Sequence, residues 1–249
     1  MTVLAALLIA IGVADLVRSL GVRRPVPIVG LGILVLVTAG AGLLTTGGGV
    51  ALTVLAAAGV LAWLVTAEQA DHGHGHARAL AVFAGAVLLQ LACSGWAPPA
   101  AGLLDSWLGW SRLPWTTSPD RALLLVGLVL TQLATGNRLV RLVLVTTGAL
   151  PPRPVPGGAD GELRGGRLLG PLERLFVLGL GLAGELTAAG LVIAAKGLIR
   201  WPELRSYSRP EAPDGSGRPK SDIDKVTEYF LVGSFVSWLV ALGALVLAA

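Results

Sequence analysis

Three charged residues with a regular spacing could support chemistry inside a membrane. Glu185 has ten uncharged residues on each side, with Arg174 eleven positions before it and Lys196 eleven positions after it. At about 100° per residue, eleven steps along an α-helix return to within about 20° of the starting direction. If this run forms one helix, the three side chains lie on one stripe, with the acidic group between two basic groups.

Charged side chains within apolar spans usually face the protein interior or a water-filled cavity, so this stripe has two interpretations. Glu185 could be a site for a proton or an ion. Alternatively, it could bind a neighbouring helix while Arg174 and Lys196 extend to the two membrane interfaces. Small residues that would let a second helix approach lie near the stripe and recur in the last apolar run: Gly181, Gly184, Ala188, Gly233, Ser237 and Ala241.

Other polar residues lie in or near apolar runs. The further candidates for a polar role within the membrane are Glu173, Gln90, Asn137 and Arg138. Gln90 is the deepest of them, and a hydrogen bond to a neighbouring helix would account for it. For Asp15 and Glu68, nearer to helix ends, we expect interfacial or capping roles.

A short histidine-rich run could bind a divalent metal. Asp71, His72, His74 and His76 alternate with glycine in the segment DHGHGH. Imidazole and carboxylate groups are good ligands for zinc, nickel or copper, and a flexible loop could place several of them around one ion. The alternative is a solvated loop, and we predict no other cofactor.

Composition places the chain in the membrane. Hydrophobic residues make up 54% and charged residues 14%, whereas a soluble domain carries about 25% charge. The net charge of +4 comes from basic residues at helix ends and in loops, where they meet lipid headgroups, so we expect no nucleic-acid partner. The N-terminal run lacks the basic region of a secretory signal and is expected to be a first helix.

We predict an all-α, polytopic membrane helix bundle with about seven transmembrane helices. A run of about 20 apolar residues spans the hydrocarbon core of a bilayer. The apolar runs are 2–18, 26–44, 49–67, 77–95, 121–148, 169–199 and 225–248. If 169–199 or part of 26–67 is re-entrant, the number of spans falls to six. In the fifth run we expect the span to end near Thr135 and a surface helix to follow.

The chain is predicted to form a single membrane domain over 1–249. Residues 1–95 would form a four-helix part, and 96–120 a tryptophan-rich interfacial loop with a short helix near 101–111, because tryptophan prefers the headgroup level. Residues 121–249 would form the C-terminal part, with polar loops at 150–168 and 200–224. With seven spans, about ten basic residues fall on one side and nine on the other. The uncharged N-terminus followed by three arginines favours an N-terminus outside the cell.

The C-terminal half resembles an uncharacterised bacterial polytopic membrane protein family, a domain of unknown function. The resemblance rests on GPLERLF, AAKGLIRWPEL and TEYFLVG, and TGNRLVR at 135–141 is similar as well. The matching positions are Leu169, Gly170, Leu172, Glu173, Arg174, Ala194, Ala195, Lys196, Glu203, Glu228, Tyr229, Phe230, Leu231 and Gly233.

This resemblance covers about 80–100 residues and implies a membrane fold and the importance of those polar positions, but no activity. The His and Asp-Phe pattern typical of the family's first helix is absent here. Pro171 is a further departure, and Glu185 replaces a glutamine, which favours hydrogen-bonded packing over proton transfer.

Three functions remain open. The first is a non-enzymatic subunit or scaffold of a membrane assembly, with a homo-oligomer or other membrane subunits as partners besides the bilayer. The second is a transporter or channel for a small solute or ion, coupled to protons at Glu185. The third is a membrane-interface enzyme, although the chain has no phosphate-binding loop, dinucleotide fingerprint, CxxC, HExxH or GxSxG motif.

Overall fold

The structure, a computed structural model, describes residues 1–21, 25–111, 118–151, 166–207 and 220–248. Side chains are not described at 111, 166–168, 196–197, 199–207 and 220–228. The described residues are helical, without strands. Their helices are α1 Thr2–Ser19, α2 Val26–Gly40, α3 Gly47–Asp71, α4 His76–Ala92, α5 Leu103–Ser111, α6 Pro119–Leu130, α7 Gly136–Thr146, α8 Gly166–Leu182, α9 Leu186–Tyr207 and α10 Lys220–Ala248.

Four helical stretches are long and apolar enough to cross a membrane. They are Thr2–Ser19, Gly47–Asp71, Pro119–Thr146 and Tyr229–Ala248. Three shorter apolar helices, Val26–Gly40, His76–Ala92 and Leu186–Ala195, do not reach that length. The class of an all-helical protein with apolar, membrane-spanning helices is therefore supported, whereas the count of seven spans stays a prediction.

The chain divides into two compact units, one formed essentially by 1–142 and the other by 143–247. The first unit extends to residue 142, past the predicted start of the C-terminal part at 121. In this unit α1 is the central helix, since it contacts α2, α3, α4 and α6. Its residues from Thr2 to Gly12 are all buried, as expected for a helix that is apolar on every side.

Glycines set the distance between α1 and α6. A Cβ atom added at Gly12 would lie 2.8 Å from the Cβ of Leu130, and one added at Gly127 would lie 3.0 Å from the carbonyl oxygen of Ala5. A side chain larger than that of glycine at either position would require the neighbouring helix to shift. Glycine at both positions therefore lets the two helices pack closely, as small residues do between membrane helices.

Contacts at both ends show that α1 and the α6–α7 stretch run parallel. Near the start of each, the hydroxyl of Thr2 donates to the carboxylate of Asp120, and further along Thr135 contacts Asp15. Asp120 also accepts a hydrogen bond from the backbone N–H of Ala100 at 3.2 Å. The same carboxylate therefore fastens three segments at the end where α1 begins.

The stretch from α6 to α7 does not end near Thr135. A π-helical turn, Thr131–Thr135, joins the two helices without a break. The residues that follow have an inward-facing side, because Leu142 is 4% exposed and the side chain of Arg138 is 12% exposed. The helix therefore continues as α7, and the end of the span near Thr135 stays a prediction.

Candidate functional site

A buried carboxylate organises the polar residues of the first unit. Asp15, on the last turns of α1, is 3% exposed. Its Oδ2 accepts hydrogen bonds from Trp63 Nε1 at 3.1 Å and from Thr135 Oγ1 at 2.8 Å, and its Oδ1 accepts one from Arg138 Nη1 at 2.8 Å. A buried charge is tolerated when it is paired and hydrogen-bonded, and three donors from α3, the π-turn and α7 meet that condition.

Arg138 connects this carboxylate to the end of α3. Its Nη2 donates to the carbonyl oxygen of Ala67 at 3.2 Å and to the carboxylate of Asp71. The guanidinium carbon lies 5.9 Å from the ring centroid of Trp63, within the range of a cation–π interaction. One arginine from α7 thus pairs with an acidic group on α1 and with another on α3.

A second arginine lies at the exposed edge of the same network. Arg18, one turn after Asp15 on α1, places its Nη1 3.5 Å from Asp71 Oδ2 and its Nη2 3.9 Å from Glu68 Oε2. The side chains of Glu68 and Asp71 are 60% and 47% exposed. Pairs this long and this exposed contribute little, about 0–1 kcal/mol. The stabilising part of the network is therefore the buried pair, Asp15 with Arg138.

The π-turn helps α6 and α7 supply two donors to one carboxylate. α1 contacts the α6–α7 stretch at two pairs, Thr2 with Asp120 and Asp15 with Thr135. Between these two contacts the chain advances by thirteen positions in α1 and by fifteen positions in the α6–α7 stretch. A π-turn takes up an additional residue within a helix, and such turns are frequent at functional sites. Thr135 and Arg138, three residues apart, then lie on the same face.

Sequence reasoning did not predict the burial of Asp15. It lies near the end of its helix, as expected, but it is among the most buried polar groups of the described chain. The signal available was the pairing of an acid on one apolar helix with Arg138 on another, since charges inside membrane proteins usually pair. Arg138 itself was among the predicted intramembrane polar residues.

The histidine run does not assemble a metal site. Among the described residues, which include this loop, no group of three or more His, Cys, Asp or Glu side chains could hold an ion. Nδ1 of His72 lies 2.8 Å from the carbonyl oxygen of Glu68, at the end of α3. Asp71, the predicted fourth ligand, instead accepts from Arg138 and pairs with Arg18. The loop serves to connect α3 to α4.

Glu185 does not lie within a continuous helix. Gly184 has a φ of +83°, the backbone N–H of Glu185 donates to the carbonyl of Leu180 at 2.8 Å, and that of Gly184 donates to Gly181 at 3.1 Å. This is a Schellman motif, which ends a helix with a left-handed glycine. The predicted stripe through Arg174, Glu185 and Lys196 is therefore wrong.

The break also changes the roles of the residues beside it. Glu185 is exposed at the junction of α8 and α9, and the side chain of Lys196 lies outside the described residues. An added Cβ at Gly184 would meet nothing within 4 Å, so this glycine forms the turn and does not pack against a helix.

Within the second unit, α8 and α10 pack through a buried arginine and small residues. Arg174 is 2% exposed, and its Nη1 donates to the hydroxyl of Ser237 at 3.1 Å. At Gly181 an added Cβ would lie 2.5 Å from the side chain of Leu245. Ser237 and Ala241 are buried, whereas Gly233 and Ala188 are half-buried. Of the predicted packing residues, Gly181 and Ser237 therefore lie at this helix contact.

The remaining polar candidates are also engaged. Gln90, 2% exposed, donates from Nε2 to the carbonyl oxygen of Leu52 at 3.0 Å, which joins α4 to α3 as expected for helix packing. Its Oε1 is buried and has no hydrogen-bond partner among the described residues. Asn137 and Glu173 each take part in polar or electrostatic interactions as well.

The fold and this network define a class, a helical membrane protein with a buried ion pair joining three of its helices. No protein-family model, curated protein or solved structure matches the chain. Function must therefore be inferred from the geometry.

Replacing Asp15 by asparagine should destabilise the protein strongly. Asp15→Asn preserves the volume but leaves the buried guanidinium of Arg138 with only the exposed carboxylate of Asp71. Breaking one side of a buried ion pair costs about 3–5 kcal/mol. The measurement is the free energy of unfolding of the purified protein during titration with a denaturing detergent.

Glu68→Gln is the matched control, because it neutralises an exposed carboxylate of the same network and should change stability by less than about 1 kcal/mol. The double variant Asp15→Asn/Arg138→Gln should recover part of the loss. Equal stability of Asp15→Asn and Glu68→Gln would refute the assigned role of the buried pair.

Proposed function

We propose that this protein is a multi-pass, non-enzymatic subunit or scaffold of a cell-membrane assembly. The observation that carries the proposal is that Asp15, the buried acid of the first unit, is held by three donors from within the same chain. A carboxylate bonded in this way fixes helices relative to one another. Its hydrogen-bonding positions are occupied by groups of the protein itself, whereas the polar groups of a ligand-binding site are completed by the ligand.

The outer faces of the helices support the membrane part of the proposal. Large apolar side chains are exposed along α2, α3 and α4, including Ile28 at 75%, Val54 at 64% and Leu88 at 62%. Apolar surface on that scale requires lipid or a partner protein. Both are compatible with a subunit that is embedded among other membrane proteins, either copies of itself or different chains.

The direction of the helices supports an N-terminus outside the cell. Helices α1 and α3 end at the face that carries the Asp15 network, where α4 begins, and the α6–α7 stretch runs in the same direction as α1. Around this face lie the basic residues Arg18, Arg78, Arg138 and Arg141, and the sequence between α1 and α2 adds Arg23 and Arg24. Within the part of the unit that the structure describes, Arg121 is the one basic residue at the opposite end. Since cytoplasmic loops are rich in Lys and Arg, the network face is the cytoplasmic one in this proposal.

A second candidate function is proton-coupled transport at Glu185, and one observation favours it. Transporters commonly place their binding sites where a membrane helix is broken, near the middle of the bilayer. Glu185 lies at such a break, between Leu182 and Leu186. The described part of α9 that is apolar, Leu186–Ala195, has only ten residues, about half the length of a span.

The mass of the native complex tests the first proposal. We expect protein extracted gently from its own membrane, at its natural level, to run as a complex larger than the 25.4 kDa chain. Mass spectrometry of the intact complex would give the number of copies and the identity of other subunits. A monomer in every mild detergent tried would contradict the scaffold proposal.

Thiol labelling tests the orientation. In a Cys93→Ser background, a cysteine at His74 should react with a membrane-impermeant maleimide only after the cells are opened. A cysteine at Gly109 should react in intact cells, because it lies in α5 on the other side. An added Cβ at Gly109 meets nothing within 4 Å, so the change should be tolerated. The reverse pattern would place the N-terminus inside.

Proton flux separates the two candidate functions. Under the scaffold proposal, vesicles containing the protein should acidify no faster than protein-free vesicles when a potential is applied, as measured with an enclosed pH-sensitive dye. If flux is seen, Glu185→Gln should abolish it while Glu68→Gln does not. Flux that survives Glu185→Gln would remove Glu185 from any transport role.

A further inference from the structure

An apolar groove lies at the outer edge of the first unit, beside the end of α2. It has a volume of about 330 Å³, at the lower end of the range for small-molecule sites. Its walls come from α2, the residue that follows it, α5 and α6, and they contain no charged side chain. The lining residues are Leu36, Val37, Gly40, Ala41, Leu103, Leu104, Trp107 and Leu123.

Backbone contacts hold the groove open. The N–H of Ala101 donates to the carbonyl oxygen of Ala41 at 2.9 Å, which fastens the residue before α5 to the end of α2. Gly42 and Gly102 have φ values of +71° and +78° on the two sides of this bond. An added Cβ at Gly102 would lie 3.5 Å from the oxygen of Gly40. This backbone bond joins a residue just before α5 to the residue after α2 and so places α5 beside the end of α2.

The length of α2 indicates what occupies the groove. With fifteen residues, α2 is about 22 Å long, shorter than the hydrocarbon core of about 30 Å. Its outer face is apolar, with Val35 54% and Leu36 68% exposed, and this face leads directly into the groove. Because α2 ends before the edge of the hydrocarbon core, the groove lies beside the part of an acyl chain that is closest to its headgroup, and the rest of that chain would run along the exposed face of α2.

The position of α5 agrees with this arrangement. Trp107 is 53% exposed and Trp110 80% exposed, and tryptophan prefers the level of the lipid headgroups. We propose that the groove binds one acyl chain of a membrane phospholipid, held between α2 and α5. This site goes beyond the scaffold role and requires only that the first unit lies in a bilayer. Its apolar lining selects for a chain and not for a headgroup.

Two glycines of α2 give a matched pair of variants. Added Cβ atoms at Gly40 and at Gly32 both meet nothing within 4 Å, so either position accepts a larger residue without displacing a neighbour. Gly40 lines the groove and Gly32 does not. Gly40→Phe therefore adds a bulky side chain at the wall of the groove, whereas Gly32→Phe adds the same side chain to the same helix outside it.

The experiment reconstitutes the full chain in vesicles that contain a phosphatidylcholine with a photoreactive diazirine near the carbonyl end of one acyl chain. After illumination, mass spectrometry should locate crosslinks on the groove residues of α2, α5 and α6. We expect Gly40→Phe to lose these crosslinks and Gly32→Phe to keep them. Native mass spectrometry should likewise find one retained phospholipid per chain in the wild type and Gly32→Phe, and none in Gly40→Phe.

Groove crosslinks that persist in Gly40→Phe would contradict the proposed lipid site. Labelling spread evenly along α2 as far as Ile28 would also contradict it, because it would indicate contact with bulk lipid. Labelling at Ile28 also reports that the protein is embedded. The experiment therefore distinguishes a protein that is embedded in the bilayer but binds no lipid in the groove from a protein that is not embedded at all.

Discussion

Asp15 and Arg138 impose the constraint on which the first unit depends. Neither group is stable alone in an apolar environment, and a buried charge is tolerated only when its partner has good geometry and the remaining hydrogen-bonding positions are filled. The partner is 123 residues away in the sequence, so the first helix and the α6–α7 stretch must lie side by side. Trp63 and Thr135 complete the carboxylate's bonds and thereby bring α3 and the π-turn into the same arrangement.

Two kinds of contact fix this arrangement independently. The polar bonds set the rotation of each helix, because a turn of 100° would move Arg138 or Trp63 away from Asp15. Glycines set the distance, because the backbones of α1 and α6 approach closely at Gly12 and Gly127. Packing between membrane helices lacks the hydrophobic driving force available in water and relies on such close contacts and interhelical hydrogen bonds. At the other end of α1, Asp120 supplies the corresponding polar contact through Thr2 and Ala100.

The sequence predicted most of the helices, but it did not predict the break at Gly184, the helical residues within the predicted loop 200–224, or which helices pair with one another. Apolar runs predict helices because length and hydropathy are local properties, and the short helix near 101–111 was found in the structure as Leu103–Ser111. The burial of Asp15 could not be read locally, since its three donors come from positions 63, 135 and 138. The stripe through Glu185 failed for a different reason. Periodicity assumes an unbroken helix, and a single glycine with positive φ at position 184 ends it.

The placement of polar groups along α1 argues for a structural role of the network. Asp15 lies four residues from the end of α1, about 6 Å along the axis. From there exposure rises outward, with Arg138 at 12% and Asp71 at 47%. In the other direction, α1 presents only apolar residues from Val3 to Ala14. A transport pathway requires polar groups near the middle of the bilayer that can be reached from both sides. A network that opens at one face and ends against an apolar helix fits a fastening between helices at the cytoplasmic surface of the proposed orientation.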